Sequence, residues 1–124
     1  MNAIVIDDSS AMRRILRRLL EGLGFDVIEA EHGQQGLERL SQHPRPDIVL
    51  VDWNMPVMDG LSFVKAVRAN PEYQDLKLMM VTTETEPQRM AKALMSGVDE
   101  FVMKPFTGEI LMDKLRLLGV TTTA

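Results

Sequence analysis

Short apolar runs, many rich in β-branched residues, recur along the chain at residues 3–6, 26–30, 48–51, 76–81 and 101–103. Runs of this length bounded by polar residues predict five strands. Between them apolar residues return every three to four positions. The clearest set is Met12, Ile15, Leu16, Leu19, Leu20 and Leu23, the spacing of a helix with one buried face. Ser9 and Ser10 can cap its start, and Gly22 and Gly24 suit its end. Four more helices are predicted over residues 33–40, 61–69, 86–96 and 107–118, with Pro87 in the first turn of the fourth, where proline is tolerated. The central strands are apolar throughout instead of alternating, so both of their faces must be buried. With strict β-α alternation this predicts an α/β fold, a parallel sheet with helices on both faces.

Composition narrows the function classes. The 124 residues suit one domain, residues 1–124, and 45% hydrophobic with 26% charged residues is a globular balance. The tail from Thr121 to Ala124 reads as a frayed end or a linker stump. A net charge of −4 leaves no basic footprint for phosphate backbones or anionic lipid, so direct nucleic-acid binding is not expected. There is no cysteine, which excludes disulfides and thiolate metal sites. The opening apolar run is too short for a signal-peptide core and no later run approaches membrane-spanning length, so a cytoplasmic protein without membrane insertion is expected; a monomer is expected as well. Ten methionines read as adaptable core filler, with a few on a contact surface.

In open parallel sheets, ligands bind beyond the carboxyl ends of the strands. Four of the five predicted ends are polar: Asp7 and Asp8, Asp52, Thr82, and Lys104. If the first and third strands are neighbours, about 4.8 Å apart, three carboxylates converge on one small site. Such a cluster repels itself, and either a retained proton or a cation must relieve it. An all-oxygen acidic pocket suits Mg²⁺. A carboxylate with a hydroxyl and an ammonium group beside it can accept a phosphoryl group. Asp52 is the natural acceptor, with Thr82 and Lys104 stabilising the spread negative charge.

These residues also carry a resemblance. Asp7-Asp8, the run Asp52-Trp53-Asn54-Met55-Pro56 with Asp59-Gly60, Thr82, and Lys104-Pro105-Phe106-Thr107 resemble the response-regulator receiver domain over roughly residues 3–118. The stretch Ser10-Ala11-Met12-Arg13-Arg14 places the likeness nearest the chemotaxis regulators of that family. The resemblance implies strand order 2-1-3-4-5, an order already established for this fold. It implies Mg²⁺ held directly by Asp8 and Asp52, through water by Asp7 and by the backbone carbonyl of Asn54. It further implies a cis Lys104-Pro105 bond, a histidine kinase as phosphoryl donor, and a downstream protein target such as a flagellar motor switch protein. The chain departs from the pattern at three places. Thr83 replaces a smaller residue, Phe101 replaces a tyrosine, and Glu86-Pro87 replaces lysines.

Each residue has a plainer explanation. An Asp pair ahead of a helix is often a cap, Asp59-Gly60 reads as a turn, and Arg13, Arg14, Arg17 and Arg18 share a face that is expected to be solvated, with an acidic partner as the alternative. His32 and His43 fall in turns without metal-ligand company. The functional reading rests on the combination. Self-directed phosphoryl transfer and autodephosphorylation are then the only chemistry expected, and turnover of outside substrates is not. A phosphorelay shuttle is the nearest alternative. A haloacid-dehalogenase-type phosphatase needs a general acid two residues after its nucleophile, where this chain has Asn54. A flavodoxin-like cofactor binder would set a flavin phosphate against acidic strand ends. Output is expected from a surface on the fourth helix, fifth strand and fifth helix. Met90, Leu94, Pro87 and Phe101 would form its apolar part and Lys114 its charged edge, although the i, i+4 spacing equally allows Met90 and Leu94 to pack inward. Thr82 and Phe101 would switch it, the ring turning inward as Thr82 moves toward the phosphoryl oxygens.

Overall fold

A computed structural model describes residues 1–83 and 85–120; the threonine-rich tail lies outside them. The elements run β1 (Asn2–Ile6), α1 (Ser10–Gly22), β2 (Asp26–Ala30), α2 (Gly33–Gln42), β3 (Ile48–Val51), α3 (Gly60–Ala69), a 3₁₀ turn (Pro71–Tyr73), β4 (Leu78–Thr82), α4 (Pro87–Ser96), β5 (Glu100–Met103) and α5 (Gly108–Leu117). All neighbouring strands pair in parallel, in the order β2-β1-β3-β4-β5.

Strand alternation divides the core into two layers. Ala3, Val5, Ile48, Leu50, Met79, Val81 and Val102 face a cluster completed by Leu16 and Leu20 of α1 and by Leu111 and Leu115 of α5. Ile4, Ile6, Val49, Val51, Leu78, Met80 and Phe101 face the opposite cluster with α2, α3 and α4. Every residue of β3 is buried, as the apolar run predicted, because helices cover both faces. Burying each large apolar side chain contributes about 1.5–3 kcal/mol.

The predicted elements stand, with corrections at their edges. Ser9 caps α1, its side chain accepting from the Met12 N–H. Thr107 caps α5 in the same way, through the Ile110 N–H. The fourth strand begins at Leu78, not Leu76. The Leu76 N–H donates to the Tyr73 carbonyl and closes the 3₁₀ turn, so Leu76 is buried without joining the ladder. Asp59-Gly60 is more than a turn. Asp59 caps α3 by accepting from the Ser62 N–H, and a Cβ at residue 60 would collide with the Asp52 carbonyl. Glycine there lets α3 begin directly against the end of β3.

Candidate functional site

The register of the sheet builds the site. Ile6 pairs with Val51, so Asp7 and Asp52, each one residue further on, leave β1 and β3 at the same level. The Asp52 N–H donates to the Ile6 carbonyl at 2.9 Å, which holds Asp52 against β1. Met80 pairs with Phe101 and Thr82 with Met103, so Thr82 ends β4 beside the end of β5, where Lys104 follows. The Lys104 N–H donates to the Thr82 carbonyl at 2.9 Å. Lys104-Pro105 is a cis peptide.

Asp7, Asp8 and Asp52 each offer a carboxylate oxygen to one point, all within 4.8 Å of one another. Their environments differ. Asp7 is buried, Asp52 is half-buried and Asp8 is exposed. Asp7 Oδ1 accepts from the Ser9 N–H at 2.9 Å, and Oδ2 accepts from Lys104 Nζ at 3.0 Å. Lys104 Nζ is 3.5 Å from Asp52 Oδ2. The ammonium therefore leans toward the more buried carboxylate, where a compensating charge matters most. Asp52 Oδ1 accepts from the Trp53 N–H at 2.8 Å. Burial pushes the Asp52 carboxyl above its ordinary pKa and the neighbouring Asp7 charge adds to the rise, while Lys104 and the Trp53 N–H oppose it. An acid cluster of this kind, with the Lys104 ammonium set against three carboxylates, fits a small divalent cation held by oxygen.

Asn54 lies exposed two residues beyond Asp52, in the loop from β3 to α3. In that loop Val57 has a φ of 67°, an unusual state for a β-branched residue. Thr82 is fully buried on the same face of the sheet as Met80 and Phe101. Phe101 is itself already inside, 8% exposed and packed in the α2, α3 and α4 core layer. The outward resting ring that an inward turn requires is therefore not the state seen here. With no hydroxyl to hydrate, the ring gains nothing from leaving the core.

The expected output surface divides. Leu94 is 49% exposed, whereas Met90 is partly buried against the core, because the small Ala93 faces the sheet. Met95, which the sequence reading did not single out, is 90% exposed. Lys114 Nζ bonds Glu100 Oε1 at 3.1 Å, so its charge is partly spent within the domain. Two further groups were missed. The Arg89 guanidinium of α4 lies 4.9 Å above the ring of the buried Trp53. Arg13 and Arg17 both bind Glu29 of β2, so the four arginines of α1 do not form one solvated face. Only a residue 12 to 16 positions away distinguishes Arg13 and Arg17 from Arg14 and Arg18, and periodicity carries no such signal.

Comparison with known proteins agrees with this geometry. The model of the response regulator receiver domain matches residues 3–116. Chemotaxis protein CheY1 of Helicobacter pylori is 42% identical over 119 residues, covering 95% of this chain and 96% of that protein. A chemotaxis protein CheY homolog of Campylobacter jejuni is 45% identical over 116 residues, covering 93% and 89%. Among solved structures, the chemotaxis protein CheY4 of Vibrio cholerae superposes with a TM-score of 0.88 at 33% identity, covering 94% of this chain and 97% of that one. Among the described residues no helix is long and apolar enough to cross a membrane. With the strand order, the acid cluster and the matched span in agreement, the chain belongs to the response regulator receiver domain family and is similar to its CheY chemotaxis regulators.

Proposed function

We propose that this receiver domain accepts a phosphoryl group on Asp52 from a histidine kinase and passes the signal on through a protein-binding surface. The observation that carries this reading is the meeting of Asp7, Asp8 and Asp52 within 4.8 Å, with Lys104 Nζ 3.5 Å from Asp52. An Asp52 carboxylate oxygen forms the new O–P bond as the P–N bond to the donor histidine breaks, and the departing imidazole nitrogen takes up a proton. Asp7, Asp8, Asp52 and the Asn54 carbonyl would hold Mg²⁺, which supplies positive charge to the clustered oxygens. Lys104 shares its charge between Asp7 and the acceptor. The Thr82 hydroxyl donates to a phosphoryl oxygen, and its movement is felt by Phe101 on the same face of the sheet. The result is self-directed transfer and slow self-hydrolysis without turnover of outside esters.

The similarity to chemotaxis proteins supports a motor-control output, with a flagellar motor switch protein as the partner class. Leu94 and the exposed part of Met90 on α4 and Lys114 on α5 are the proposed contact residues, with Phe101 of β5 buried beneath them. Met90→Asp or Lys114→Glu is expected to weaken capture of such a partner and to leave labelling of Asp52 intact. Normal binding in both variants would place the surface elsewhere.

The direct test is incubation with a small phosphodonor, with and without Mg²⁺. Wild-type protein should acquire a base-labile acyl phosphate only with the metal, and Asp52→Asn should acquire none. Undiminished labelling of Asp52→Asn overturns the assignment. Loss of labelling is read beside the stability of that variant, which should be the greater at neutral pH. The raised pKa means that ionised Asp52 opposes folding. That penalty is absent well below the ordinary value of 3.8, grows as pH rises toward the raised value and is complete above it. Urea midpoints at acid and neutral pH check the sign. A destabilised Asp52→Asn at neutral pH contradicts it.

A further inference from the structure

We propose that Arg13 is the positioning residue of the acid cluster, fixing the peptide that joins Asp7 to Asp8 and thereby aiming the Asp8 carboxylate at the cation. The inference rests on the Mg²⁺ reading above and assigns a role outside the carboxylates themselves.

One nitrogen of the Arg13 guanidinium, Nη1, donates to the Asp7 backbone carbonyl at 2.6 Å. That oxygen belongs to the Asp7-Asp8 peptide, so the bond sets the plane from which the Asp8 side chain departs. The same guanidinium donates through Nε to Glu29 Oε1 at 3.1 Å, and Nη2 is 4.0 Å from Glu31 Oε1. Arg17 binds the other oxygen of Glu29 and the Val27 carbonyl. Glu29 is thus held at both oxygens and cannot swing away from Arg13. The Arg13 side chain is only 12% exposed, so its bonds are partly desolvated and geometrically demanding. A planar fork suits two fixed acceptors in a way that an ammonium does not.

Asp7 has three further anchors. Its N–H donates to the Ala30 carbonyl at 3.1 Å, and its carboxylate accepts from Ser9 and Lys104. Asp8 is exposed and flanks this pinned residue, so the peptide held by Arg13 is what orients it. Outer groups that orient metal ligands typically change affinity by about 10- to 100-fold when removed.

The sign of the effect separates this role from simple electrostatics. Arg13 places a positive charge beside a cation site, so deleting that charge should tighten Mg²⁺ binding if charge were all that mattered. Positioning predicts the reverse. Trp53 is the one tryptophan of the chain and adjoins Asp52, so its fluorescence reads Mg²⁺ titration without any phosphoryl transfer. Arg13→Ala should bind Mg²⁺ about tenfold more weakly or worse. In metal-free protein the amide signal of Asp8 should shift more than those of Asp52 and Lys104. If Arg13→Ala does not fold, Arg13→Lys, which keeps the charge and loses the fork, is read in the same direction. Unchanged or tighter Mg²⁺ binding in the folded variant overturns the inference. Wild-type protein that fails to bind Mg²⁺, while Asp8→Asn behaves identically, overturns the metal reading itself and this role with it.

Discussion

Helices α1 and α4 flank the same site from opposite sides and are held in opposite ways. Helix α1 buries Leu16 and Leu20 completely and is tied to β2 by Arg13 and Arg17. Helix α4 buries only Ala93, while Leu94 and Met95 point into solvent. Its N-cap residue, Glu86, makes no side-chain capping bond. Two arginines hold its ends. Arg89 lies over Trp53 near the start, and Arg68 donates to the Gly97 carbonyl through Nε at 3.0 Å and Nη2 at 2.9 Å just beyond the last turn. The contrast teaches that a helix with few buried apolar groups and local tethers is the one free to change its place, since its opening free energy is small. The acid cluster is mounted on the fixed side, and the proposed output surface on the adjustable one.

The largest effect that would break this contrast is in the core. Leu20→Ala should cost about 2–5 kcal/mol in urea unfolding, and Met95→Ala about 0.5 kcal/mol or less. Comparable losses at the two sites would show that α4 is as firmly packed as α1.

A smaller effect is expected at the far tether. Arg68 also donates to the Tyr73 carbonyl at 2.8 Å and to Asp99 Oδ2 at 3.0 Å, so Arg68→Ala leaves several acceptors wanting. A loss of about 1–3 kcal/mol is expected, with faster amide exchange concentrated in α4. Exchange that rises equally in α1 would mean that Arg68 supports the whole sheet and not one helix.

A smaller effect than at Arg68 belongs to Arg89. Its stack on Trp53 is worth about 0.5–1 kcal/mol at an accessible position. Arg89→Ala should barely move the urea midpoint while altering Trp53 emission and quickening exchange at the start of α4. Unaltered emission would show that the ring and the guanidinium are not coupled in solution.

Much of the fold was legible in the sequence because it is written in local periods. The continuous apolar run of β3 marks a strand covered on both sides, and the spacing of Leu16 and Leu20 marks the inner face of α1. The rule that ligands bind at the carboxyl ends of parallel strands was enough to single out Asp7, Asp8, Asp52 and Lys104, which the structure brings together, and Thr82, which it places at the end of β4. Periodicity misled at α4. Met90 and Leu94 share a spacing that fits the core or the surface, and the rotation of the helix follows from Ala93, whose small side chain faces the packed core.

The sequence by itself determined which segments are strands and helices and which polar residues end the strands, since both depend on neighbours within a turn or a pleat. Only the tertiary structure decided what meets across distance. It set Ile6 beside Val51 and so brought Asp7 level with Asp52, leaned Lys104 toward Asp7, and placed Phe101 inside the core. It also gave Arg13 a carbonyl and a carboxylate to bind while leaving Arg14 exposed. These choices join residues as many as 97 positions apart, and their energies exist only once the sheet has closed the distance between them.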